Sequence, residues 1–190
     1  MPGLTIEKFN DVINGFELKE DKFSTFIESG TYTGTTVLAL QPHFDVCHTI
    51  EISETLYENF MKDLLYAQYK NTLKNVTGHL GDSSKIIPEL LTEFDEDTKC
   101  VFWLDGHFSS GVTSKGDKDV PLLEECKAID TLYKADKGLV LIDDLRLFGT
   151  THAEDWENIT VDNVLECFSN FNVVYFEHPD DMLCIFISKE

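Results

Sequence analysis

The chain has 190 residues, 42% apolar and 26% charged, which fits one domain and leaves no room for a second. Thirty-five acidic residues against fifteen basic ones give a net charge of −20, so a nucleic-acid backbone or an anionic membrane surface would be repelled. An aromatic content of 12% excludes a disordered chain.

Seven short apolar runs rich in β-branched and aromatic residues read as strands: 23–27, 46–52, 76–80, 100–104, 139–142, 173–176 and 183–187. Between them, 36–40, 54–69, 84–91, 120–133 and 161–168 read as helices. The clearest is 54–69, where Leu56, Phe60, Leu64 and Ala67 return at helical spacing. Such alternation predicts parallel βαβ units with right-handed crossovers and helices on both sheet faces. The last two strands are separated only by Glu177-His178-Pro179-Asp180-Asp181-Met182, too short for a crossover, so they are expected to form an antiparallel hairpin. The expected fold is therefore α/β and Rossmann-like. It is a seven-stranded, mostly parallel sheet with a C-terminal hairpin, spanning 1–190 as a single domain.

The one long irregular stretch, 106–119, carries Gly106, Gly111 and Gly116, and a loop of that length in a compact domain is usually functional. Lys115 and Lys118 bring rare positive charge into it. The five cysteines lie mostly inside apolar runs and form no CxxC pair, which points to buried thiols in a reducing compartment, with neither disulfides nor zinc. No signal-peptide pattern stands at the N-terminus and no apolar run approaches the roughly 20 residues of a membrane span, so a cytoplasmic location is expected. The Asn-x-Thr sites at Asn75 and Asn158 are then chance matches.

In an open parallel sheet ligands bind at the carboxyl ends of the strands. The first strand ends in Glu28-Ser29-Gly30-Thr31-Tyr32-Thr33-Gly34-Thr35, a glycine turn that lacks the Gly-Lys-Ser/Thr of a P-loop and the GxGxxG of a dinucleotide fold. Glu51 closes the second strand, seventeen residues beyond Gly34, where an acid can accept both hydroxyls of a ribose. Gly81-Asp82-Ser83 follows the third strand, Asp105-Gly106-His107 the fourth, and Asp143-Asp144 the fifth. Three carboxylates at neighbouring strand ends repel one another unless a cation sits between them. Oxygen ligation favours Mg²⁺ or Mn²⁺. Asp143 and Asp144 can converge only where the pleat breaks, since adjacent strand residues face opposite ways. The competing structural reading is that one of them caps a helix or pairs with Arg146, the only arginine. His107, beside the acids, is placed as a general base.

These residues resemble a known family. Glu28-x-Gly30-x-x-x-Gly34, Glu51, Gly81-Asp82-Ser83 and the terminal hairpin are similar to the class I S-adenosylmethionine-dependent methyltransferases. Leu104-Asp105-Gly106-His107 with Ile142-Asp143-Asp144 resembles the cation-dependent O-methyltransferases among them. The 106–122 stretch also resembles small methyltransferases found beside glycan-building genes, including the sugar-methylating domain of glycosyltransferases of large algal viruses. The resemblance implies S-adenosylmethionine as cofactor, with Glu28, Gly30 and Gly34 around its methionine part, Glu51 at the ribose and Asp82-Ser83 at the adenine edge. Thr31, Tyr32, Thr35, Ile52, Gly81 and Asp105 complete that set. It further implies a divalent cation on Asp105, Asp143 and Asp144, and catalysis by His107 and Asp105. The acceptor would be a small molecule or glycan with neighbouring hydroxyls, a deoxyhexose for example. The chain could then serve as a domain of a larger glycosyltransferase. Two other readings stand beside it: a phosphoester hydrolase using the same aspartates, and a methyltransferase-like binding module without catalysis.

Overall fold

A computed structural model describes residues 3–70, 73, 75–107, 119–151 and 155–189. Seven strands form one sheet in the order β3-β2-β1-β4-β5-β7-β6. They are β1 (Thr25–Ser29), β2 (Val46–Glu51), β3 (Val76–Leu80), β4 (Cys100–Leu104), β5 (Lys137–Ile142), β6 (Asn172–His178) and β7 (Met182–Ser188). The first five pair in parallel, while β7 inserts antiparallel between β5 and β6. Chain order reverses between β1 and β4, the switch point where such sheets open a crevice. The expected doubly wound sheet with its terminal hairpin is what forms.

Helices α1 (Ile6–Gly15), α2 (Thr35–Leu40), α3 (Glu54–Tyr69), α4 (Ser83–Glu93), α5 (Leu122–Leu132) and α6 (Val161–Leu165) flank it. Side chains alternate across each strand and divide the core in two. Ile27, Ile50, Phe102, Leu104, Val140 and Ile142 face α4, α5 and α6. Phe26, Cys47, Val101, Trp103, Leu139 and Leu141 face α1, α2 and α3. β1 and β4 are buried at every position, as central strands covered on both sides must be.

Helix α1 was not among the expected helices. Thr5 caps it by accepting the Lys8 N–H at 3.4 Å, and Phe9 and Val12 seat it on the sheet. β1 begins two residues later than its apolar run, because its register with β2 and β4 starts at Thr25. The strand connections are pinned by buried polar groups. Tyr133 Oη accepts the Cys100 N–H and donates to the Lys137 carbonyl, both at 2.7 Å, tying the starts of β4 and β5. The Asp130 carboxylate accepts from Ser169 Oγ and from the Asn170 backbone and side chain, fastening α5 to the approach to β6.

All five cysteines are free and buried. Asn75 spends its amide on the carbonyls of Gln41 and Phe44, at 2.8 Å each, so it closes a turn. No helix among the described residues is long and apolar enough to cross a membrane. Lys115, Lys118 and the 108–118 part of the expected functional loop lie outside the described residues.

Candidate active site

The glycine turn after β1 is built on left-handed backbone: Gly30, Tyr32 and Gly34 have φ of 84°, 48° and 75°. At Gly30 a Cβ would stand 2.5 Å from the Asp105 carbonyl oxygen, so only glycine lets the ends of β1 and β4 touch. At Gly34 a Cβ would strike the Phe60 ring at 2.3 Å, so that glycine lets α2 close on α3. The turn is held by Glu51, which accepts the Tyr32 N–H at 2.9 Å through Oε2 and the Ser53 N–H at 2.8 Å through Oε1. A carboxylate offers about four lone-pair sites, so two remain for a ligand. Thr31 is buried against the Thr49 hydroxyl at 2.6 Å, Thr35 pairs with Thr33 at 2.9 Å, and Ile52 is half-buried behind Glu51.

Glu28 lies beneath this turn, fully buried, accepting the Thr49 Oγ1 hydrogen bond at 2.5 Å. Burial pushes its carboxyl up to about 8, against the Thr49 bond and helped by the nearby Glu51 charge. It is therefore a neutral acid at pH 7. Across the crevice Gly81 leads into Asp82, which caps α4 by accepting the Ser84 N–H at 3.0 Å. Ser83 is buried behind it.

The second cluster stands at the ends of β4 and β5. Asp105, His107 and Asp144 each offer one donor atom, and these atoms lie within 4.8 Å of one another. The His107 ring sits between the two acids, Nδ1 3.7 Å from Asp105 and Nε2 3.5 Å from Asp144, too far for hydrogen bonds. Its far side meets Trp156 edge-on, with centroids 5.4 Å apart. Asp105 titrates well above the usual carboxylate range, through burial first and then the charges of Asp143, Asp144 and Glu28.

Asp144 adopts φ 59°, which breaks the pleat after β5 and swings its carboxylate into the group. Asp143, expected as a third ligand, stands next to the group of three without belonging to it. It folds Oδ1 back onto the Asp144 N–H at 2.9 Å and lines the cleft beside Asp105. Burial lifts its carboxyl to about 6, with the Asp144 amide and Lys8 of α1 pulling the other way. The competing pairing with Arg146 is also present: the guanidinium bonds Asp144 and Asp181 together.

Glu125 of α5 was not anticipated. It is 1% exposed, its Oε1 has no hydrogen-bond partner, and it lines the cleft with Asp105, His107, Asp143 and Trp156. Burial raises it to about 7, while the hydroxyls of Ser83 and Ser29 hold it down in part. The signal was an acid on the buried stripe of a helix, three residues after Leu122 and four before Ile129.

No protein-family model and no curated protein sequence matches the chain. Solved structures do. The O-methyltransferase TomG from Streptomyces achromogenes, involved in tomaymycin synthesis and solved with S-adenosylmethionine, aligns over 100% of this chain and 82% of its own. Its TM-score is 0.63 at 16% identity. The fold is that of the class I methyltransferases. A Staphylococcus aureus protein provisionally described as a caffeoyl-CoA O-methyltransferase gives a TM-score of 0.60 at 14% identity, over 98% of this chain and 85% of its own. SMU.1697c from Streptococcus mutans, a provisionally assigned methyltransferase solved with S-adenosylhomocysteine, gives 0.59 at 16% identity over 100% of both chains.

Proposed function

We propose that the chain is a metal-dependent O-methyltransferase that moves the methyl of S-adenosylmethionine to a hydroxyl of a sugar or glycan. One observation carries the reading: Gly30 of the glycine turn and the Asp105 backbone lie in direct contact. The segment suited to a methyl donor therefore adjoins the first acid suited to a cation that holds an acceptor.

The residues present fit both groups. Glu51 and Asp82 keep acceptor oxygens at the two strand ends where a nucleoside would lie, and the left-handed turn exposes backbone to it. Two carboxylates and an imidazole converge, and Asp105 is held above its ordinary range by burial first and then by acidic neighbours whose charge a cation would offset. This mixed donor set suits Mn²⁺ better than Mg²⁺, which prefers oxygen alone. When bound, S-adenosylmethionine supplies an activated methyl, and a divalent cation acidifies a hydroxyl it holds.

The chain's own residues do the rest. Glu28, Gly30 and the turn backbone bind the methionine end, Glu51 the ribose and Asp82-Ser83 the adenine edge. Asp105 and Asp144 would hold the cation, and a cation held there would supply a fixed point for aligning an acceptor hydroxyl. His107 is placed for either of two roles, ligand or proton acceptor. His107→Ala separates them: loss of Mn²⁺ affinity marks a ligand, and retained affinity with lost turnover marks the base. The choice of a sugar acceptor rests on the sequence resemblance around the 106–122 stretch.

The test is calorimetric titration of S-adenosylhomocysteine with and without Mn²⁺, followed by methyl transfer to hydroxylated acceptors. One site per chain at micromolar affinity, with Mn²⁺-dependent transfer to a vicinal diol, is expected. Absence of binding heat together with phosphate release from simple esters would hand the aspartates to the hydrolase reading.

A further inference from the structure

Asp144 has two carboxylate oxygens and two kinds of neighbour. Oδ2 faces His107 Nε2 at 3.5 Å, inside the group of three donors. Oδ1 is taken by the Arg146 guanidinium. The same Nη1 also bonds Asp181 Oδ2, and the Arg146 N–H donates to Asp181 Oδ1 at 2.7 Å. The Leu145 N–H adds a bond to the Asp181 carbonyl at 3.1 Å. Asp181 thus grips both the main chain and the side chain of Arg146.

The backbone agrees with a clamp. Asp144 and Asp181 are both non-glycine residues in the left-handed region, at φ 59° and 68°. Each such conformation is strained and persists only where the surroundings hold it. The surroundings here are the four contacts made by Asp181 and Arg146. Asp144 and Asp181 side chains are 14% and 19% exposed, whereas Arg146 is 49% exposed. The guanidinium is therefore a lid over two sheltered acids.

We propose that Arg146 and Asp181 are positioning residues for the cation site. Asp181, on the hairpin turn, fixes Arg146, and Arg146 occupies one oxygen of Asp144 so that the other is aimed at Asp105 and His107. This rests on the metal reading above. Outer partners that orient ligating carboxylates are worth roughly 10–100-fold in metal affinity. A planar guanidinium suits the task, since one rigid head can meet two carboxylates where an ammonium acts as a point charge. The rival role gives the opposite sign. If Arg146 were only a substitute cation competing for Asp144, removing it would tighten metal binding.

The experiment is Mn²⁺ titration, followed by the paramagnetic resonance signal of the free ion, on the unchanged chain, Arg146→Gln, Asp181→Asn, the double variant and Arg146→Lys. S-adenosylhomocysteine titration and metal-free melting on each report the rest of the fold. Expected are a roughly 10–100-fold loss of Mn²⁺ affinity in each single variant and no further loss in the double variant, because the two act in series. Partial recovery in Arg146→Lys and S-adenosylhomocysteine affinity within about twofold complete the expected result. Unchanged or tighter Mn²⁺ binding in Arg146→Gln overturns the proposal, as do additive losses in the double variant. A parallel loss of S-adenosylhomocysteine binding would reduce the pair to ordinary fold support and overturns it too. If the unchanged chain binds no Mn²⁺, the metal reading itself falls and takes this one with it.

Discussion

Replacing Glu28 with Gln should make the ligand-free protein more stable and, in the same step, weaken its hold on the methionine end of the cofactor. Glu28 is fully buried and its carboxyl is pushed from 4.5 to about 8. For an acid whose folded pKa is raised, the folded state binds more protons than the unfolded one between those two values. Stability therefore falls as pH rises from about 4.5 to about 8, and is not recovered above it. At about 1.4 kcal/mol for each tenfold change in proton affinity, the penalty reaches about 3 kcal/mol at pH 7 and about 4 kcal/mol at pH 8. Gln is nearly isosteric and its carbonyl can still accept the Thr49 hydrogen bond, so most of that penalty should vanish. For a chain of this length about 3 kcal/mol corresponds to a melting point higher by about 6–12 °C. Urea denaturation at pH 5, 7 and 8.5 reads the effect as a gap between variant and parent that widens with pH. A gap that is absent, or constant with pH, would refute the claim that an ionisable group buried under the glycine turn is what costs stability. S-adenosylhomocysteine titration of the same variant tests the second half: unchanged affinity would remove Glu28 from the cofactor site.

Gly30→Ala should be severe for its size. The residue would sit at φ 84° and its Cβ would stand 2.5 Å from the Asp105 carbonyl oxygen, so a loss of about 2–4 kcal/mol is expected in urea unfolding. A change below about 0.5 kcal/mol would mean that β1 and β4 need no such contact. The half-buried pair His48 and His79, with ring nitrogens 2.9 Å apart beside Phe94, works in the acid range. Burial lowers His48 from 6.5 to about 4, so the folded chain resists the proton that the unfolded chain accepts, and stability is lost as pH falls from about 6.5 towards 4. His48→Gln should remove about 1 kcal/mol of the loss between pH 7 and pH 5, after allowance for partial exposure, when parent and variant urea midpoints are compared. Parallel curves would show that the pair is protonated freely in the fold.

The sheet was legible because its strands are short, apolar and bounded by Gly, Asp or Ser, and the hairpin because six residues cannot cross a sheet. α1 escaped notice although Ile6, Phe9, Ile13 and Phe16 recur at helical spacing, since no strand precedes it to suggest an alternating unit. The acids were legible as a cluster of strand ends, but their division of labour was not. That Asp144, and not Asp143, comes within 4.8 Å of Asp105 and His107 goes with its positive φ, and a non-glycine residue at positive φ leaves no mark in sequence. Glu51 was found by its position at a strand end. That its oxygens also brace the turn at Tyr32 and Ser53 depends on tertiary geometry. Glu125 hid among the charges of an amphipathic helix, where an acid ordinarily faces water.

The antiparallel entry of β7 has a consequence for how such a protein could be re-targeted. Because β7 runs against β5, its first residues lie at the same end as the last residues of β5, with Leu183 opposite Ile142. The hairpin turn is thereby delivered to the rim where Asp143 and Asp144 emerge, on the side away from the glycine turn and Glu51. Lengthening a surface turn is cheap, about 0.6 kcal/mol for each doubling of its length. Residues could thus be inserted after Pro179 to remodel the rim beside Asp143 and Asp144 while β1, β2 and β3 stay untouched. One half of the sheet is thus left intact and the other is open to graft, and Asp181, whose carboxylate holds Arg146, marks the seam where a graft must stop.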